Sequence, residues 1–229
     1  NKLQKSVTNA EKDLLKIINK EFTFILGASF TIGNYIMPPY INSIKEKIEN
    51  EVYIKVDKTD NLIDDILESK IDMALIESPN FKDGLIYREW MDDELVLFSN
   101  EPLPRTVKAE DLYNFSWICR NEDSGTRKRL AEVFESIDVE CNQFDVKGIV
   151  GSATAVKETI LRSPKNDGAK TVSIISRHAI RDELDEARLF ETRIRNFKIN
   201  RKFYIVYSKD RKHDAFIDNV VSYLSGLKS

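Results

Sequence analysis

From Glu21 onward the apolar positions alternate between short unbroken runs and stretches in which they recur every three to four residues. Unbroken runs suit strands buried on both faces, and the longer rhythm suits amphipathic helices. The pattern predicts strand Glu21–Leu26, helix Thr31–Glu49, strand Val52–Val56, helix Asn61–Glu68 and strand Asp72–Ile76. Ile32, Ile36, Tyr40, Ile44 and Ile48 recur every four residues as one buried helix face. Pro38-Pro39 within that stretch calls for a kink or a late start, because proline clashes with the preceding turn. Thr59-Asp60 offers N-cap chemistry to the second helix. Ahead of these, Ser6 to Asn19 carries Leu14, Leu15, Ile17 and Ile18 in a polar frame and reads as a short amphipathic helix.

The same grammar then repeats. Strand Leu95–Ser99 leaves through Pro102-Leu103-Pro104. A short helix near Ala109–Leu112, strand Ser116–Cys119, helix Thr126–Ser136, strand Gln143–Val146, helix Thr154–Leu161 and strand Val172–Ile175 follow. Asn196–Tyr207 is strand-like around Phe203–Val206, and Ala215–Leu224 closes the chain as an amphipathic helix. The β-α-β-α-β order requires parallel sheets with helical crossovers. The expectation is an α/β chain of two lobes; in such sheets ligands sit beyond the carboxyl ends of the strands, so two facing lobes make a central cleft.

Composition narrows the function without choosing it. An apolar fraction of 41% and a charged fraction of 32% are those of a folded globular chain. The net charge of −3, with both signs interspersed, leaves no basic footprint for nucleic-acid phosphates. No apolar run approaches the roughly 18 residues of a membrane span, and the start is helical rather than signal-like, so no membrane partner and a cytoplasmic location are expected. Cys119 and Cys141 are too few for a disulfide framework and read as buried small apolar residues. His178 and His213 stand in separate charged contexts without metal-ligand spacing, so neither metal nor cofactor is expected. No nucleophile with a neighbouring base emerges, and Glu122-Asp123 suit helix-dipole partners better than an acid/base pair, so catalysis is not expected.

Candidate chemistry gathers at three strand-to-helix junctions. In FILGASFTIGNYIMPPYI, Gly27 and Ala28 are read as permitting a tight turn, and Ser29 and Thr31 place hydroxyls beside the N–H groups of a helix start, an arrangement that suits an anion. Plain capping by Ser29 or Thr31 accounts for the same residues equally well. The stretch WICRNEDSGTR repeats the arrangement with Ser124, Thr126 and the guanidinium of Arg127, where capping and a surface pairing of Arg127 with Glu122 or Asp123 are the alternatives. A third junction, GIVGSAT, offers Ser152 and Thr154, with Ser152 equally suited to be a cap.

These residues carry a resemblance. GASFTIGNYIMPPYI followed by VYIKVDKTDNLIDDILESKIDMALIE resembles the effector-binding region of LysR-type transcriptional regulators, in order and spacing from about Glu21 to Glu77, and more loosely onward through EDSGTRK and VSIISRHAI. The resemblance implies the fold of type 2 periplasmic binding proteins: two Rossmann-like lobes joined by two crossing strands. Lobe I would be about 21–100 plus 196–229 and lobe II about 101–195, with residues 1–20 the end of a linker helix. It implies a DNA-binding winged helix-turn-helix upstream, and homodimers within a tetramer. By position it makes Ser29, Phe30, Thr31 and Ile32 lobe I effector contacts, and Ser124, Thr126 and Arg127 lobe II contacts. Ser152, Thr154 and Val172 would line the far wall. The polar stretch Ser163 to Lys170 departs from the family's short glycine-centred turn. The expected function is sensing of a small anionic effector, a carboxylate or inorganic oxyanion, with a solute-binding transport receptor as the alternative.

Overall fold

A computed structural model describes residues 23–227 except 78, 80, 123, 166 and 167, so the helix expected over Ser6 to Asn19 lies outside the described residues. The chain divides into two compact units: unit 1 runs to Trp90 and resumes at Tyr204, and unit 2 is Met91–Phe203. In chain order the regular elements are β1 (Thr23–Ala28), α1 (Ile41–Ile48), β2 (Glu51–Val56), α2 (Thr59–Leu67), β3 (Met73–Ile76) and β4 (Leu85–Ser99). Then come β5 (Thr106–Val107), β6 (Ser116–Arg120), α3 (Gly125–Ser136), β7 (Asp145–Val150), α4 (Ala153–Leu161) and β8 (Thr171–Ser176). The last are α5 (Arg181–Asp185), β9 (Phe190–Ile194), β10 (Ile199–Ser208) and α6 (Ala215–Gly226). Among the described residues no helix is long and apolar enough to cross a membrane.

Each unit builds the same sheet. In unit 1, β1 lies between β2 and β3 and runs parallel to both, and β10 closes onto β3 antiparallel. In unit 2, β6 lies between β7 and β8, parallel to both, and β4 closes onto β8 antiparallel. The chain therefore passes between units inside β4 and inside β10, not at the proline-marked exit. The hydropathy pattern exposes only the last five residues of β4 because its first ten mix Arg88, Glu89, Asp92, Asp93 and Glu94 among the apolar positions. β9, likewise not foreseen, pairs antiparallel with β4.

The expected helix Thr31–Glu49 is broken. A helical turn opens at Phe30, where the Gly33 N–H donates to the Ser29 carbonyl at 2.8 Å; Ile32–Ile36 then forms a π-type turn, Pro38–Tyr40 a 3₁₀ turn, and regular α-helix resumes at Ile41. Pro38 and Pro39 lack the N–H groups that would continue the ladder, and the Met37 N–H reaches back five residues to the Ile32 carbonyl at 2.9 Å. The four-residue rhythm survives the break: Ile32, Ile36, Ile44 and Ile48 are buried, while Tyr40 is half-buried. Capping of α2 also differs. Thr59 and Asp60 lie inside the helix, and Asp57 Oδ1 accepts from the Lys58 N–H (2.7 Å) and from Asn61 Nδ2 (2.8 Å). The strand expected over Gln143–Val146 is present as β7 but starts two residues later, after a 3₁₀ turn Cys141–Gln143, and its pairing with β6 shifts register between Val146 and Gly148.

Gly27 does not turn the chain. It lies within β1, and a Cβ there would stand 2.7 Å from Ile71 Cδ1, 2.9 Å from Leu62 Cδ2 and 3.2 Å from Ala74 Cβ. Its role is to let α2 and the approach to β3 close onto the sheet. In unit 2 the core centres on Trp117, stacked on Phe144 at 4.5 Å with Phe134 edge-on to both, and Trp117 Nε1 donates to the Leu112 carbonyl at 2.9 Å. Cys119 is buried as expected, but Cys141 is only half-buried.

Among the ion pairs that cross strands in unit 2, two reach the buried half of β4. Arg201 Nε meets Asp93 Oδ2 at 2.7 Å, Ser176 Oγ donates to Asp93 Oδ1 at 2.6 Å, and the Arg201 guanidinium lies 5.3 Å from the Phe203 ring centre. Arg193 grips Glu94 with two bonds, 2.6 and 2.8 Å, and this holds the Glu94 carboxyl below its ordinary 4.5. A carboxyl lowered in the folded state stabilises fully above its ordinary value, and the contribution is lost as pH falls through the lowered one. Glu94→Gln is expected to lower the melting temperature at neutral pH, with the gap to wild type closing in a pH series taken below about 4. Gly27→Val is expected to cost about 1–3 kcal/mol in urea unfolding, the usual range for overpacking.

Candidate functional site

Parallel pairing brings all strand carboxyl ends of a unit to one side, and the candidate residues collect there. In unit 1 the register Ala28↔Leu75 and the bond from the Ser29 N–H to the Leu75 carbonyl (2.9 Å) place Ser29 at the end of β1 beside the end of β3. Ser29 is 3% exposed, and its hydroxyl has no hydrogen-bond partner among the described residues. A buried hydroxyl left unbonded costs about 1–3 kcal/mol, so Ser29 Oγ has hydrogen-bonding capacity to offer a ligand or a water at the strand end. Thr31 is buried as well, Phe30 is half-buried, and Ile32 is fully buried, within the apolar core.

The helix start expected as an anion receptor in unit 1 is short, and one of its N–H groups is already taken. The turn after Thr31 is π-type and short, and the Thr31 N–H donates to Glu77 Oε1 at 2.8 Å. Gly33 is needed for the close approach of β2, since a Cβ there would stand 2.6 Å from Val56 Cγ2.

In unit 2 both serines cap helices. Ser124 Oγ accepts from the Arg127 N–H and opens α3; Ser152 Oγ accepts from the Ala155 N–H and opens α4; each bond is 3.0 Å. Their O–H groups remain as donors. Thr126 is buried in the first turn of α3, and Thr154 is exposed in the first turn of α4. Val172 lies in the core, opposite Trp117 in the β6–β8 register.

Arg127 is directed elsewhere than expected. Its guanidinium is a hydrogen-bond partner of the Cys141 thiol and acts on Cys119 as well. Burial pushes both thiols up, and Arg127 partly offsets that rise. The cation at the strand ends is Arg120, the last residue of β6, whose Nη2 donates to the Gly151 carbonyl at 3.2 Å in the turn before α4. Sequence reasoning missed Arg120 and Glu77. The available signal was the same for both: a charged residue immediately at the end of a buried apolar strand. Among the described residues no three His, Cys, Asp or Glu side chains gather as a metal-binding set.

With this geometry in place, the comparisons with known proteins are direct. A family model described as the LysR substrate binding domain matches residues 21–227. The HTH-type transcriptional regulator CysL of Bacillus subtilis is 26% identical over 190 residues, covering 80% of this chain and 60% of that protein. A probable RuBisCO transcriptional regulator of Cyanophora paradoxa is 29% identical over 199 residues, covering 83% of this chain and 60% of that protein. The chain thus spans about three-fifths of the length of these relatives. The regulatory domain of Synechocystis PCC6803 CcmR, solved in complex with 2-PG, superposes with a TM-score of 0.75 at 21% identity, over 90% of this chain and 99% of that one. The effector binding domain of QuiR, solved with shikimate, gives 0.71 at 18% identity, over 91% and 99%. These structures share the fold, that of type 2 periplasmic binding proteins.

Ser29→Ala removes the unbonded hydroxyl. In ligand-free protein it is expected to raise stability by about 1 kcal/mol in thermal or urea unfolding; a loss of that size would mean that the hydroxyl is already satisfied within the chain.

Proposed function

The chain belongs to the LysR substrate-binding domain family, and from that premise we propose that it senses a small anionic effector on behalf of a transcriptional regulator. The observation that carries the proposal is the buried hydroxyl of Ser29, unbonded at the strand ends where ligands of parallel sheets sit. Unit 1 offers Ser29 and Thr31, with Phe30 and Ile32 behind them; unit 2, taken by itself, offers the hydroxyls of Ser124, Thr126, Ser152 and Thr154 at its own strand ends, with Val172 in its core. Arg120 brings a positive charge to the strand ends of unit 2. That the related CcmR and QuiR domains were solved with 2-PG and shikimate supports a small effector rich in oxygen.

Binding acts by unequal affinity for two states of the domain. A tenfold preference supplies about 1.4 kcal/mol of bias, enough to change the population of an assembly already near balance. In the full-length protein, DNA contact falls to a winged helix-turn-helix outside the present sequence, consistent with relatives named HTH-type regulators and with a net charge of −3 here. A cytoplasmic location and a binding rather than catalytic role follow from the same reading. Self-association as a homodimer or tetramer is supported by two outer strands that expose apolar side chains, β2 with Tyr53 at 57% and β7 with Ile149 at 68%.

The test is a thermal-shift panel at fixed ionic strength: sulfate, phosphate, thiosulfate, amino acids, O-acetylserine, and aliphatic and aromatic carboxylates. A true effector at about 100 times its dissociation constant adds about 2.7 kcal/mol and raises the melting temperature by several degrees. The same shift is expected to shrink sharply in Ser29→Ala and Thr31→Val. A panel in which no compound acts, or in which the shift persists unchanged in both variants, removes the support for this site.

A further inference from the structure

Unit 1 has a polar cavity at the opposite end of its strands from Ser29. β1 and β2 start together at Thr23 and Glu51, so the turn joining α1 to β2 lies at the amino ends of these strands. Asn42, Lys45, Glu46, Glu49, Asn50 and Glu51 line a cavity of about 570 Å³ there. The lining holds three carboxylates and one ammonium, and that ammonium, Lys45, already pairs with Glu51 at 2.5 Å. α1 ends at Ile48, so the negative end of its dipole adds to the same charge.

Charge alone would describe a solvated surface; Asn50 adds a group that asks for a ligand. It lines the cavity yet is only 8% exposed, and its Nδ2 donates to the Ile48 carbonyl at 3.0 Å, which fixes how the amide is turned. Its Oδ1 has no hydrogen-bond partner among the described residues. An amide oxygen only accepts, so the group that answers it must bring a proton, and the surrounding carboxylates favour one that brings positive charge as well. A single metal ion fits poorly, since among the described residues no three acidic, His or Cys side chains gather as a metal-binding set. Glu46, Glu49 and Glu51 stand in the last turn of α1, in the turn after it and at the first residue of β2. A chain carrying several ammonium groups spans such a spread where one point charge does not.

We infer that this cavity is a binding site for an aliphatic polyamine, one ammonium donating to Asn50 Oδ1 and the others lying against the neighbouring carboxylates. The inference goes beyond the effector reading and is independent of it: the two sites lie at opposite ends of β1, and either can fail without the other.

Calorimetric titration of the whole chain with spermidine at fixed ionic strength is expected to show saturable binding at least about tenfold tighter than that of magnesium ion. Glu46→Gln is expected to weaken spermidine about three- to fivefold. Asn50→Leu should weaken it about tenfold with no change of net charge. Lys45→Gln, which releases Glu51, should tighten it. Glu135→Gln makes the same charge change as Glu46→Gln at an exposed position of α3 in unit 2, and should leave the affinity within about 1.5-fold of wild type. Melting temperatures show that each variant is folded; if Asn50→Leu is not, Glu46→Gln and Lys45→Gln decide. No saturable spermidine binding, equal weakening by Glu46→Gln and Glu135→Gln, or magnesium ion bound as tightly as spermidine would overturn the inference.

Discussion

Parallel pairing of β1 with β2 and β3, and of β6 with β7 and β8, is the constraint on which the rest of the molecule depends. Parallel neighbours cannot be joined by a tight turn, so each pair carries a crossover, and α2 and α4 run back over their sheets. The same geometry gathers every strand carboxyl end of a unit on one side. Ser29, Glu77, Arg120 and Gly151 are separated by up to dozens of residues in sequence, yet each sits at such an end. The one antiparallel strand of each sheet, β10 in unit 1 and β4 in unit 2, is also the strand that carries the chain into the other unit.

Small residues and buried charges make those sheets close. Gly27 holds the space into which Leu62 and Ile71 pack, and Gly33 the space taken by Val56. The Asp93–Arg201 pair is withdrawn from water and completed by Ser176 and Phe203. Burying two charges gains little net stability, but removing one partner of such a pair costs about 3–5 kcal/mol, because the other is left uncompensated. The pair thus specifies how β4 meets β10 in unit 2 more than it strengthens the fold.

The polar groups at the strand ends do different work from what their residue types suggest. Ser124 and Ser152 spend their acceptor capacity on helix caps. Arg127 lies close enough to Cys119 and Cys141 to offset part of the rise that burial imposes on their thiols. In unit 1 the Ser29 hydroxyl has no hydrogen-bond partner among the described residues, and the Thr31 N–H is taken by Glu77.

Hydropathy and motif spacing by themselves determined the α/β class, the repeated β-α-β-α-β order, the buried isoleucine face after Thr31, and the resemblance that the family model bears out, and they left Ser124 and Ser152 open between capping and ligand contact. These are local properties, written in periodicity, capping chemistry and residue order over windows of a dozen residues or so. Only tertiary structure decided the rest. It made Gly27 a packing residue rather than a turn, because the deciding atoms belong to Leu62, Ile71 and Ala74. It extended β4 through a polar half that looks like loop, because its strand partners satisfy the backbone there. It also turned Arg127 away, brought Arg120 forward, and set Glu77 on the Thr31 N–H across 46 residues of chain. A charge's partner is chosen by whatever the fold places within about 4 Å of it, and no window of sequence carries that distance.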